Sequence, residues 1–252
     1  MSDIGSSSSA SPALQSLALL AIGKTGADIE RLVREVRQQA RRDKRGLTWD
    51  DIEHALGADR MAMSDDLRWR VSVHEAGHAI VWSLLGIGEV ESVTLGMGDM
   101  GQVTVRRFTH LSQTEDWLTK TMAAILAGRV AELLVIGEPL VGSGGGEGSD
   151  LAKATAIALD AETSLGMAEH QPLLYRLSTR GFDMLTLDRD LAERVNARLL
   201  TAETMARGLL EEQGSKLMKL ANHLNQAGVM SGDEVRQLLG MGIGRDDEGG
   251  ET

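Results

Sequence analysis

The sequence predicts a mainly α-helical fold with one small β-hairpin. Apolar residues recur at three- and four-residue spacing over most of the chain, and S/T-x-x-D/E start signals precede several of those stretches. β-Rich runs are confined to Val90–Leu95 and Gln102–Phe108. Apolar residues make up 42% of the chain and aromatics only 3%, so Leu, Val, Ala and Met must fill the core. A net charge of −11 gives no electrostatic reason to expect nucleic acid or an anionic membrane as partner. The absence of cysteine excludes disulfides and leaves His and carboxylates as the available metal ligands. The longest apolar candidate, Leu14 to Ile22, is too short to span a bilayer, and the Ser6–Ser11 tract lacks the basic n-region of a signal peptide. A soluble, cytoplasmic chain is expected.

Residues 1–13 are small and polar and are expected to be a disordered lead-in. Residues 14–60 form an all-helical unit. In it, Thr25-Gly-Ala-Asp28 starts a helix with Ile29, Leu32, Val33, Val36 and Ala40 on one side and Arg31, Arg34, Arg37, Arg41 and Arg42 on the other, ending near Gly46. Thr48-Trp-Asp-Asp51 starts a shorter helix through Leu56. Gly23-Lys24-Thr25 imitates the end of a phosphate-binding loop, but Ala18 stands where that loop needs glycine and no β-rich segment precedes it. ATP binding by this chain is not expected. Met61 to Asp66 reads as a linker into a second domain over residues 61–240.

That domain opens on His74-Glu75-Ala76-Gly77-His78, within a helix expected from about Asp66 to Leu85 and stopped by Gly86. Helical residues four apart share a face, so His74 and His78 can reach one cation from successive turns. Glu75 stands beside the first imidazole, where a carboxylate can take a proton from water. This is the H-E-x-x-H arrangement of zinc hydrolases. The alternative, two polar residues on a solvated face, conflicts with the apolar flanks Val71, Val73, Ala76, Ala79, Ile80, Val81 and Leu84, because buried polar groups need partners. Gly77 costs about 1 kcal/mol relative to Ala within a helix, which implies close approach of another segment.

The two β-rich runs, separated by Gly96, Gly98 and Gly101, read as a hairpin that either receives an extended peptide as an added strand or simply closes the core. Ser112-Gln-Thr-Glu115 is expected to cap a helix to about Ile136 with the stripe Leu118, Met122, Ile125, Leu126, Val130 and Leu133. Glu132 lies near that stripe and is either exposed or hydrogen-bonded to something buried. Gly142 to Gly148 is a flexible loop entering a helix from Leu151 to Leu165. At its entrance Asp150 is either a cap or a third metal ligand, delivered from a loop free to swing. Leu173 to Leu187 shows no clean period, residues 188–227 are helical, and Ser231-Gly-Asp-Glu234 starts a last helix to Leu239. Residues 241–252, rich in Gly and acid, are expected to be a disordered tail.

Taken together, these residues resemble the peptidase domain of FtsH-type, AAA-linked zinc metalloproteases. The matching stretches are Val73-His-Glu-Ala-Gly-His-Ala-Ile80, Ala127-Gly-Arg-Val-Ala-Glu132, Gly148-Ser-Asp-Leu-Ala-Lys-Ala-Thr155, Leu165-Gly-Met167 and Ser231 to Leu239. The resemblance implies a helical zinc metallopeptidase with a small β element beside the H-E-x-x-H helix. It implies zinc as cofactor, Asp150 as third ligand with His74 and His78, Glu75 as catalytic base, and Glu132 as the carboxylate that orients a ligating His. Residues 26–56 resemble the last helices of an AAA lid. The implied activity is endoproteolysis of unfolded polypeptides, coupled to an AAA ATPase absent from this chain, in a hexameric ring. The full-length relatives are membrane-anchored, facing the cytoplasm. A catalytically silent, zinc-stabilised docking module is the alternative. The hairpin lacks the family's usual Pro-Arg-Gly.

Overall fold

The computed structural model describes residues 14, 17, 18, 20, 21, 24–57, 63–96, 100–176 and 183–242. The expected disordered lead-in, most of the expected tail and the tip of the hairpin lie outside these residues. The fold is mainly helical with a small antiparallel sheet, as the sequence predicts. Helix α1 spans Gly26–Arg42 and α2 Trp49–Gly57. Thr25 and Asp28 make a reciprocal capping box at the start of α1, which ends sooner than expected, before Lys44 takes a positive φ of 55°. Arg45 clasps Asp51 at 2.6 and 2.8 Å, bracing the connection to α2.

Helix α3 runs Asp65–Leu85 from an N-cap at Ser64 to left-handed Gly86, so the expected linker gives up its last residues to the helix. Strands β1 (Gly88–Leu95) and β2 (Gly101–Arg107) pair antiparallel. A third strand that the sequence did not signal, β3 (Val229–Ser231), pairs with the other edge of β1, giving the order β2-β1-β3. Helix α4 spans Glu115–Val135, and its cap is Thr114 rather than Ser112. The Thr114 hydroxyl accepts from the Trp117 N–H, which places the first helical turn two residues later than the start signal suggested.

After α4 come a 3₁₀ turn at Val141–Ser143, α5 (Asp150–Thr163), a short α6 (Asp183–Leu187), α7 (Arg189–Glu212), α8 (Gly214–Ala227), β3 and α9 (Gly232–Leu239). The helical periodicity expected over residues 188–227 is realised as two helices that meet at Gln213. Helix α9 opens with the Ser231–Glu234 capping box and ends at left-handed Gly240.

Helix α3 is the hub, packed against α4, α8 and the β1–β2 hairpin, while α4 packs in turn against α5 and α7. Leu191, Val195, Ala202, Ala206 and Leu210 of α7 and Leu217, Leu220, Ala221 and Leu224 of α8 are buried in the core shared with α3 and α4. One buried charged contact is made by Glu162, near the C-terminal end of α5. It accepts from Arg194 Nε at 2.9 Å and Arg198 Nε at 2.6 Å, and Arg198 also donates to Glu115 and to the Met167 carbonyl, both at 2.7 Å. A buried carboxylate is tolerated when its lone pairs are used in this way. The network ties α5 to α7 and to the start of α4.

Close helix packing explains Gly77. A Cβ there would lie 2.6 Å from both the Ala127 carbonyl oxygen and the Ala131 Cβ. Ala124, Ala127, Gly128 and Ala131 form a stripe of small residues on α4 at helical spacing, letting the two backbones approach. For Gly77→Ala, overpacking against backbone costs about 1–3 kcal/mol, more than the gain of about 1 kcal/mol in helix propensity. The variant should unfold at lower urea concentration than the wild type, and a midpoint equal or higher would contradict this close contact.

Candidate metal centre

Three of the candidate side chains, His74, Glu75 and His78, come from the middle of α3, Glu132 from α4 and Asp150 from the first residue of α5. His74 and His78 stand on successive turns with Nε2 atoms 3.0 Å apart. Asp150 Oδ2 lies 3.1 Å from each of these nitrogens. The cap of α5 is Ser149, whose hydroxyl accepts from Ala152 N–H, so the capping role open to Asp150 belongs to its neighbour. Asp150 is also not carried on a swinging loop, since it is already helical and α5 is anchored through Glu162.

The outward nitrogens are both engaged. His78 Nδ1 lies 2.8 Å from the Ala124 carbonyl, an obligatory acceptor, so that nitrogen carries a proton. His74 Nδ1 lies 2.5 Å from Glu132 Oε1, while Glu132 Oε2 accepts from the Leu140 N–H. Glu132 is fully buried, and of the two alternatives the sequence left open it is the hydrogen-bonded one. With both Nδ1 atoms acting as donors, the two Nε2 atoms of neutral rings and the Asp150 oxygen turn lone pairs on one another. Such a set requires a positive charge between its members.

These three side chains are the cluster of the described residues suited to a metal ion. Ligands about 2.0–2.1 Å from a tetrahedral centre stand roughly 3.3 Å apart, close to the observed separations. The donor set therefore fits a small divalent cation of zinc type. Without a metal, a proton takes that place. Burial opposes charge on His74, but hydrogen bonds to Asp150 and Glu132, with Glu75 nearby, outweigh it and push the ring up to about 10. Burial likewise opposes charge on Asp150, yet its bonds to His74 and His78 hold it well below the usual carboxylate range.

Glu75 is 6% exposed and lines the same cleft of about 1040 Å³ as His74, His78 and Asp150. Burial pushes its carboxyl up, and His74 and His78 partly offset this. The far wall is β2. A Cβ on Gly101 would lie 2.6 Å from Glu75 Oε1, so the strand begins directly against that carboxylate. The loop after α4 supplies Leu140, Gly142, Ser143 and Gly144.

Several participants carried no assigned role in the sequence. The Ala124 carbonyl and the Leu140 N–H are backbone groups with no side-chain signal. Gly128 lies in one of the matching stretches, and its function is steric: a Cβ there would stand 2.5 Å from His74 Cε1 and Nε2 and from His78 Nε2.

Comparison with known proteins agrees with this geometry. The profile of peptidase family M41 matches residues 61–238. The chain is similar to the ATP-dependent zinc metalloprotease FtsH of Caldicellulosiruptor bescii, with 28% identity over 90% of this chain and 40% of the relative. It is similar to FtsH 1 of Symbiobacterium thermophilum, with 34% identity over 90% of this chain and 39% of the relative. FtsH 4 of Sorangium cellulosum is 30% identical over 86% and 37%. The chain thus spans about 40% of the length of the curated relatives it matches.

Gly128→Ala should lower metal affinity about 10- to 100-fold in chelator competition while leaving the helical circular dichroism intact. Wild-type affinity would show that the rings can move aside. Because the His74 pKa is raised from 6.5 to about 10 on folding, the stability it contributes to the metal-free protein is complete below about pH 6.5 and is lost as pH rises through about 10. Melting temperatures of the metal-free protein should fall across that window, and fall less in Glu132→Gln. A decline equally steep in both proteins would contradict the assignment.

Proposed function

The chain belongs to peptidase family M41, and we propose that it acts as a zinc-dependent endopeptidase on unfolded polypeptides. The observation that carries this reading is the convergence of three acceptor atoms, from His74, His78 and Asp150, beside a buried carboxylate in an open cleft. The relatives' names, which specify a zinc metalloprotease, support the same metal and chemistry.

In this reading His74, His78 and Asp150 hold the zinc ion, and Glu132 and the Ala124 carbonyl fix the orientation of the two imidazoles. Zinc bound there supplies a Lewis acid that polarises the scissile carbonyl and acidifies water. Glu75 accepts a proton from the attacking water as its oxygen bonds to the carbonyl carbon. It then delivers that proton to the amine nitrogen as the C–N bond breaks. Burial that raises the Glu75 pKa suits it to this exchange near neutral pH.

Strand β2 is an edge strand along the cleft, which supports binding of an extended peptide as an added strand. Such a site admits chains that are already unfolded. In a longer protein like the relatives, named ATP-dependent, an AAA module and a hexameric ring would supply unfolding, and residues 14–60 would be the end of that module's lid. Glu75 weighs against a catalytically silent docking module, which needs a metal but no base.

Casein digestion tests the reading. The zinc-loaded wild type should cleave casein and stop on chelation. Glu75→Gln should keep its zinc yet lose activity at least about 100-fold. Cleavage that persists in chelator, or wild-type rates in Glu75→Gln, would overturn the assignment.

A further inference from the structure

We propose that Arg107 and Trp82 form a substrate subsite that selects an acidic side chain in the bound peptide. The inference deepens the peptidase reading and rests on it. Strand residues alternate between faces, and Gly101, Val103, Val105 and Arg107 of β2 all line the cleft. The first three offer a peptide only backbone and apolar surface. Arg107 ends the row with a charge.

Its neighbour on the other face shows the contrast. Arg106 is neutralised by Glu89 and lies 3.5 Å from Glu91. Among the described residues Arg107 has no carboxylate within ion-pair distance. Its guanidinium lies over the Trp82 ring, 5.8 Å from the centroid. Trp82 is 7% exposed and embedded in the core, so it gives the guanidinium a rigid floor. The other cation lining the cleft, Lys153, is already drawn to Asp150, 3.6 Å from its Oδ1.

Trp82 is four residues beyond His78 on α3, which sets the subsite about one helical turn, roughly 5.4 Å, past the second imidazole. A peptide laid along β2 therefore passes Glu75 near Gly101 and reaches Arg107 at the opposite end of the strand. A carboxylate arriving there meets a planar, paired donor geometry with no internal competitor. In a chain of net charge −11 this cation also counters the general repulsion of acidic segments.

The test is the cleavage-site profile of the zinc-loaded full chain on a peptide library of mixed composition, read by mass spectrometry. The wild type should enrich Asp and Glu at one fixed position on one side of the scissile bond. Matched Glu and Lys peptides at that position should differ about 3- to 10-fold in kcat/KM, and less at high salt. Arg107→Gln should abolish the preference and Arg107→Glu should invert it toward Lys and Arg. Because Arg107 is exposed, Arg107→Gln should retain the wild-type fold and zinc content. A profile indifferent to charge, or an acidic preference that survives Arg107→Gln, would overturn the subsite alone. Failure of the zinc-loaded wild type to cut any peptide would overturn the peptidase reading and the subsite with it.

Discussion

Three lone pairs directed at one point repel one another, and a protein interior holds them there only with a positive charge between them. The groups around His74 and His78 prevent the rings from turning away. Each ring is fixed through its far nitrogen, one by the Glu132 carboxylate and one by the Ala124 carbonyl. Both partners belong to α4. The candidate metal centre is therefore a property of the α3–α4 interface, although both imidazoles belong to one helix, and Asp150 approaches them from a third helix anchored at its other end by two arginines.

That interface works because it is thin. Bulky residues on α4 at positions 124, 127, 128 and 131 would hold the helices apart and move the Ala124 carbonyl out of reach of His78. Alanine and glycine are the solution, and glycine at position 77 repeats it from the α3 side. The same smallness admits the ring tips beside Gly128. Helix propensity is sacrificed at Gly77 and Gly128 for an approach no other residue allows. Apolar burial elsewhere, through α7 and α8, supplies the stability that these positions do not.

The helices and the hairpin were legible because their signals are local: capping residues, three-to-four spacing and the glycines at 86 and 240. The H-E-x-x-H pair was legible for the same reason, since four residues on a helix fix a geometry. Glu132 and Asp150 were different. Residue spacing alone left each between a solvent or capping role and a place at the site, because their partners lie 58 and 76 residues away in sequence. Family resemblance rather than physics favoured the second role. Strand β3 escaped notice because three residues carry no period, and its identity comes from the β1 edge it meets. The cap of α4 was misplaced because Ser112 and Thr114 both precede acidic residues, and only the backbone trajectory separates them.

The sheet beside the cleft is closed from far down the chain. Strand β1 lies between β2, its immediate successor, and β3, which follows α8, and Arg236 reaches back 146 residues to the Val90 carbonyl. Closing so large a loop costs entropy before any pairing returns it. The second edge of β1 therefore stays unpaired until the chain has run through α8 to Val229–Ser231, so the sheet is completed only after the helices that separate its strands.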